Sequence, residues 1–409
     1  MRRSDAVRLA LYLGLVTSTM GFRQPFLAVY MASAGLDKFQ IGIVQGLGAA
    51  FALLIQPFIG RWSDRLDARR PFIIGAAVLA AAVYFMYPLA QSFAQFAVLE
   101  AIGANAYMYL SAVGAVLVGR MVQAARGGAA YANLRIWGSV GYIVVSLVSG
   151  LSVRDPASVT HAGLASVFHY GPLLFVLIAI LAPFLPDAKR DASSGAPQTS
   201  PMTPNLRRFL LALALYTLAL YGASGFLPLY MKSFGAGGLW ISGAFAAGVV
   251  VEVLIMRQAG RFSDRYGRRP ALVAAFLLLP VRLLLYVPAT GPAWILAVQS
   301  LHGVNFGIVG AVAVAFANDL ANDHNRGHAQ ARLAVAQGFA SASGPFILGW
   351  VAQNAGLRPM FGVASGIAAV AAVILLIKVE DSHKEVESWG GRFRWLQSPV
   401  HQTKPECLR

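Results

Sequence analysis

The sequence has almost no cysteine and little acid. Its one cysteine, Cys407, stands near the end of 409 residues. That excludes an internal disulfide and a cysteine-based metal site. The terminal Cys407-Leu408-Arg409 is too short for a prenylation box. Asp and Glu total only 17, and charged residues make up 12%, against about 25% in a soluble domain. With 57% hydrophobic residues, the chain could not cover a soluble surface, so its expected solvent is lipid. Lys and Arg number 33, for a net charge of +16. They fall in short clusters between apolar runs rather than on one patch or arm, so nucleic acid is not an expected partner. No nucleotide loop or nucleophile elbow is present. His324 and His328 flank Arg326-Gly327 with no third ligand, which reads as a solvated turn rather than a metal site. Neither a metal nor a cofactor is expected, and an enzyme is disfavoured.

What is there is a series of apolar runs near the length that crosses about 30 Å of hydrocarbon. They predict spans near 7–31, 40–60, 71–90, 93–118, 133–152, 166–186, 206–230, 239–260, 270–288, 292–317, 331–353 and 357–378. The fold class is therefore an all-α membrane protein of twelve transmembrane helices. The start, Met1-Arg2-Arg3-Ser4-Asp5, runs into the first span without a small-residue cleavage site, so that span is expected to be retained. The intervening loops alternate. One set holds Arg61, Arg65, Arg69 and Arg70, then Arg120 and Arg126, Lys189 to Arg208, Arg261 to Arg269, and Arg326 with Arg332. The other holds only isolated cations: Lys38, Arg154, Lys232 and Arg358. The positive-inside rule puts the basic set, with both termini, on the cytoplasmic side of a bacterial-type inner membrane. An even number of spans agrees with that alternation.

Residues 187–205 form a Pro/Ser/Asp-rich linker. It is expected to divide the chain into an N-terminal six-helix bundle over 1–186 and a C-terminal one over 206–379. The tail, 380–409, carries an aromatic-basic patch at Trp389, Arg392, Phe393, Arg394 and Trp395, read as a loose terminus touching headgroups. The halves repeat. Gly60-Arg61-Trp62-Ser63-Asp64-Arg65 with Arg69-Arg70 is matched by Gly260-Arg261-Phe262-Ser263-Asp264-Arg265-Tyr266-Gly267-Arg268-Arg269, offset by 200 residues. Arg126-Gly127 and Arg326-Gly327 share that offset. Two six-span halves in parallel orientation follow, related by an axis along the membrane normal.

This repeated loop resembles the signature of the major facilitator superfamily. The resemblance implies that family's fold, with alternating access around a central cavity and a monomer taking a small-molecule substrate. Gly60 and Gly260 are expected to let helices pack closely at the membrane edge. Asp64 and Asp264 are expected to pair with guanidinium groups or a helix N-terminus, in contacts that hold one face closed. Asp67 and Ala68 stand where the second copy has Gly267, so the first turn departs from the pattern.

Ionisable residues at membrane depth are costly and hence functional candidates. Six stand out: Arg23, Glu100, Arg135, Glu252, Arg282 and His302. Gln299, His302 and Asn305, each three apart, are expected on one stripe facing a cavity. Arg282 is expected to reach that stripe, and Glu252, one turn after Gly248, to approach it. A carboxylate near Arg and His can change protonation as its neighbours move, and a structural ion pair is the alternative. Arg23, before Pro25, either joins Arg135 in a positive substrate site or pairs with Glu100. Asn105 is a further cavity candidate. Among the aromatics, Tyr107, Tyr109, Trp137, Tyr142 and Tyr221 could stack on a ring, with packing the expectation for most of them.

Leu134 to Tyr142 is also similar to the fifth span of the sugar–proton symporters related to lactose permease and the phenylpropionate permeases. Val281-Arg282 with Ser300-Leu301-His302 resembles their ninth and tenth spans. Gly248 to Val253 resembles the eighth of the phenylpropionate group. The resemblance implies that Arg135 binds substrate and that Arg282 and His302 belong to a proton-coupling network. Asn305 stands where lactose permease has a proton-carrying glutamate, and Asn cannot titrate; Glu252 is the replacement. Leu117, Leu220 and Ala223 stand where that permease has acidic residues, which argues against lactose-type sugars. The expected function is proton-coupled uptake of a small organic solute, an organic anion or aromatic acid or a sugar-like molecule. Protons and the bilayer are its other partners. Glu252, Arg282, His302 and Asn305 would serve coupling, and Arg23, Asn105, Arg135, Tyr142 and Gln299 substrate binding. The alternative is proton-antiport efflux. Its span-five Gly-Pro motif is missing, and Gly344-Pro345 lies in span eleven instead.

Overall fold

The computed structural model describes residues 3–65, 69–125, 128–185, 202–321 and 326–381. Among them are thirteen α-helices and no strand. The first half holds α1 (Arg3–Ser33), α2 (Lys38–Arg65), α3 (Arg69–Phe85), α4 (Phe93–Ala125), α5 (Gly128–Ser152), α6 (His161–Tyr170) and α7 (Leu173–Leu181). The second holds α8 (Pro204–Ser233), α9 (Gly238–Tyr266), α10 (Arg268–Leu284), α11 (Pro292–Asp319), α12 (Arg326–Ala355) and α13 (Leu357–Lys378). Helices are the expected solution, because in hydrocarbon every backbone N–H and C=O must be satisfied within its own segment.

The thirteen helices make twelve passes, since α6 and α7 are one pass broken at Gly171-Pro172. Pro172 has no N–H to continue the ladder. A side chain at Gly171 would overlap the ring of Phe22, so the glycine admits that ring at the break. By length and composition, 8 of the described passes are apolar enough to span a bilayer. The passes that fall short are α1, α5, α10 and α12, and α1, α5 and α12 bring polar side chains to the centre of the molecule.

The halves share their internal fastenings. α1 and α8 each end on a glycine with positive φ, Gly35 at 95° and Gly235 at 75°. In both, the next N–H bonds back to a methionine carbonyl: Leu36 to Met31 at 3.1 Å and Ala236 to Met231 at 3.2 Å. Only glycine takes this turn without strain. Tyr30 donates to the Tyr87 carbonyl at 3.4 Å and Tyr230 to the Tyr286 carbonyl at 2.9 Å. The second arginine of each Arg-Arg pair clamps the end of its own half. Arg70 donates to the Leu185 carbonyl at 3.1 and 2.6 Å, and Arg269 to the Leu376 carbonyl at 2.8 Å.

The halves meet along α2–α12 and α5–α9. Small residues bring the backbones together there. A side chain at Gly42 would strike Pro345, and one at Gly46 would lie 2.5 Å from the Ala342 carbonyl oxygen. Gly238 and Gly150 press on each other in the same way. Lys38 N donates to Gln353 Oε1 at 3.1 Å, and Ser146 Oγ to the Ser242 carbonyl at 3.2 Å. All these contacts lie toward the sparsely charged loops. At the basic end, an added side chain at Gly60 or Gly260 meets nothing described within 4 Å. Among the described residues, no contact shows close helix packing at these two glycines.

Candidate functional site

Two chambers join between the halves, of ≈ 340 and ≈ 500 Å³, within the size range of small-molecule sites. They share Met20, Gln24, Tyr107, Met108 and Tyr221. The first is walled by α1, α2, α4, α8 and α12, and it contains Arg23, Glu100, Gln45, Gln337 and Ser341. The second is walled by α1, α4, α5, α8, α9 and α11, and it contains Tyr142, Glu252, His302 and Phe306.

Glu252 reaches its chamber because α9 and α11 cross with almost no space between them. A side chain at Gly303 would fall on the Glu252 backbone nitrogen and the Gly248 carbonyl oxygen. Gly248 in turn lies against Gln299 and His302. Two glycines thus bring Glu252 and His302 to one wall.

Arg282 is fully buried, 1% exposed. Its Nη1 donates to His302 Nδ1 at 2.9 Å and to Asn305 Oδ1 at 3.3 Å. Asn305 Nδ2 donates to the Ala275 carbonyl at 2.8 Å, which fixes its amide to α10. Of the three-residue stripe, only His302 lines the cavity. Gln299 is 1% exposed and accepts from Tyr286, and Asn305 is 0% exposed behind His302. The spacing does set one stripe, but Gln299 and Asn305 turn toward α10 and the turn after it, and His302 alone of the three faces the cavity.

In the first half Arg23 pairs with the Glu100 carboxylate, which also accepts from Tyr87. The paired alternative for Arg23 is the one observed. Tyr142 lines the cavity and donates to Gln24 Oε1 at 3.0 Å. Asn105 does not reach the cavity: its amide donates to the Ala101 carbonyl of its own helix at 2.6 Å, and it faces an outer apolar groove between α2, α3 and α4. One residue of α4 rotates a side chain by about 100°, so Ala104 lines the cavity while Asn105 does not. The side chain of Arg135 lies outside the described residues. Sequence reasoning did not single out Gln24, Gln45 or Gln337, which carry no charge and share no three- or four-residue stripe with an ionisable residue.

Of the loop motif, the side chains of Asp64, Arg65 and Asp264, and the departing positions Asp67 and Ala68, lie outside the described residues. Gly267 has φ 94° and separates α9 from α10. Arg268 donates to the Ala315 carbonyl at 2.7 Å and pairs with Asp319, which ties α10 to α11. Arg269 lies 3.9 Å from Asp381. Arg265 lies over the Tyr266 ring at 5.4 Å. These contacts of the second copy fasten its own half.

Two pseudo-symmetric six-pass bundles around a shared cavity are the architecture of a membrane transporter. The chain belongs to the MFS_1 like family, whose model matches residues 6–363. It is a transporter of the major facilitator superfamily and not an enzyme. It is 25% identical over 393 residues to an uncharacterized MFS-type transporter of Mycobacterium tuberculosis, covering 88% of this chain and 89% of that one. It is 27% identical over 319 residues to the maltose permease of Geobacillus stearothermophilus (76% and 78%). A probable 3-phenylpropionic acid transporter of Escherichia coli is 24% identical over 306 residues (72% and 78%). In fold the chain is similar to a point variant of the nucleoside transporter NupG, with TM-score 0.75 at 18% identity, covering 91% of this chain and 98% of that one. The human organic anion transporter MFSD10 follows at TM-score 0.58 and 18% identity, covering 91% and 99%.

Proposed function

We propose that this protein is a proton-coupled symporter of a small organic solute. The observation that carries the reading is the shared wall of the larger chamber, where Glu252 and His302 stand opposite Tyr142 across the two halves. Glu252 is the residue that carries the proton. His302, held by Arg282, is its partner across the α9–α11 contact. Arg23, Tyr142 and, by resemblance, Arg135 contact the solute from the first half, while Gln24 and Tyr107 complete the cavity between the chambers. Solute binding and Glu252 protonation would together favour rocking of one half on the other. The basic loops and both termini face the cytoplasm of a bacterial-type inner membrane, so the conformation described here is the inward-facing one. The relatives include a maltose permease and a probable 3-phenylpropionic acid transporter, both named for small organic solutes.

The test is transport by Glu252→Gln in proteoliposomes. Proton-driven accumulation should fall well below that of wild type while counterflow exchange persists. Accumulation at the wild-type level overturns the assignment. The direction of the substrate-driven pH change separates symport from antiport efflux.

A further inference from the structure

The two halves carry the same tyrosine staple with different partners. In the second half Tyr286 donates to the amide of Gln299. At the equivalent place in the first, Tyr87 donates to the carboxylate of Glu100, which Arg23 also meets. Ala223 holds the position equivalent to Arg23. An amide therefore suffices to hold this turn, and the first half has an ion pair added to it. A buried pair tends to cost more in desolvation than it returns, so packing alone does not account for it.

The pair is lopsided. Glu100 is fully buried, whereas the Arg23 side chain is 15% exposed on the cavity wall. Beyond Glu100, Arg23 Nη1 meets only the Met20 thioether at 3.6 Å, and its Nε is buried with no partner. A guanidinium offers five donors in a planar fork that matches a carboxylate. The titratable groups around the pair are few. Tyr84 of α3 has its ring 5.9 Å from the guanidinium, Tyr87 is at the turn, and Tyr107 is on α4. From α2 comes Gly48, next to the carboxylate, and α6–α7 meet the tyrosines through Phe168 and Phe175. Glu100 is the one acid among the described residues of this chamber's lining.

We infer that Glu100 is a second proton-binding site, and that Arg23 exchanges the Glu100 carboxylate for that of an anionic solute. This rests on the reading of the cavity as the transport path, and it narrows the solute to a carboxylate. The charges balance. Before binding, the site holds one cation and one anion. Afterwards Arg23 holds the solute anion, and Glu100 carries a proton taken from water on the side of entry. On the other side the solute and the proton leave, and the pair re-forms. Gln299 cannot do this, because an amide does not take up a proton in this range.

Equilibrium binding of radiolabelled 3-phenylpropionate to the purified full-length protein tests the inference apart from transport, since it reads no accumulation. Wild-type affinity should fall roughly tenfold per pH unit above the release of the Glu100 proton, as one linked proton requires. In Glu100→Gln, Arg23 has no competing carboxylate, so binding should be tighter and should lose the part of the pH slope that Glu100 contributes. If that variant does not fold, the double variant Arg23→Ala with Glu100→Gln decides. It reproduces the neutral arrangement of the second half, and it should fold and bind no 3-phenylpropionate at any pH. Three results would overturn the inference: no binding by wild type at acidic pH, an unchanged pH slope in Glu100→Gln, or wild-type binding in the double variant.

Discussion

Arg282 Nη1 lies 2.9 Å from His302 Nδ1, and the direction of that bond is fixed. A guanidinium has no acceptor, so Nδ1 accepts, the ring is neutral, and its hydrogen sits on Nε2. Protonation of Nδ1 would break the bond. Arg282→Met would leave the acceptors on His302 and Asn305 without this donor, at a cost of about 1–3 kcal/mol for each one left bare. Thermal unfolding in detergent should show the loss, and proton-driven uptake should fall with it. A midpoint equal to that of wild type would mean that the bond carries no weight.

The α9–α11 crossing should tolerate no side chain at Gly303. Both backbones are already in contact there, and overpacking costs typically about 1–3 kcal/mol. Gly303→Val should lower the unfolding midpoint and separate Glu252 from His302. Gly310→Ala, where an added Cβ meets nothing described within 4 Å, should leave the midpoint within error.

The closed seam should yield to a wedge. Gly46→Leu drives a side chain into α12 beside Ala342 and should shift the population toward the conformation open at the sparsely charged end. Ser224 lines the cavity. A Ser224→Cys reporter, with Cys407→Ser removing the native thiol, should react several-fold faster with an impermeant maleimide added from that side. An unchanged rate would mean that the seam is not what closes this end.

Orientation can be read with the same reagent. Ala157→Cys and Met202→Cys place thiols at exposed positions on opposite ends of the bundle. In intact cells the first should be labelled and the second protected. The reverse pattern would invert the assignment of inside and outside.

The repeat was readable because the Gly60 and Gly260 loops obey one offset, and that offset returns in the Tyr30 and Tyr230 staples and in the Gly35 and Gly235 turns. The meeting of Arg282, His302 and Asn305 was also readable, from charge at membrane depth and helical spacing. What spacing could not supply was direction. Gln299 shares a stripe with His302 but is claimed by Tyr286, and Asn105 differs from Ala104 by one step of rotation. Both outcomes depend on which neighbouring helix offers a partner, and that is a property of the assembled bundle. The break at Gly171-Pro172 was not read from the sequence, where 166–186 stands as one unbroken span. Its meaning depended on Phe22, which is far away in sequence.

The closed end owes little to charge. Glycine, proline and alanine backbones of α2 and α12 touch directly, and the described hydrogen bonds across it involve main-chain groups. Parting such surfaces frees almost no counter-ion and breaks few strong attractions. Ionic strength on that face should therefore hardly alter how often the molecule turns over, and lipids that press laterally on the bundle become the stronger lever.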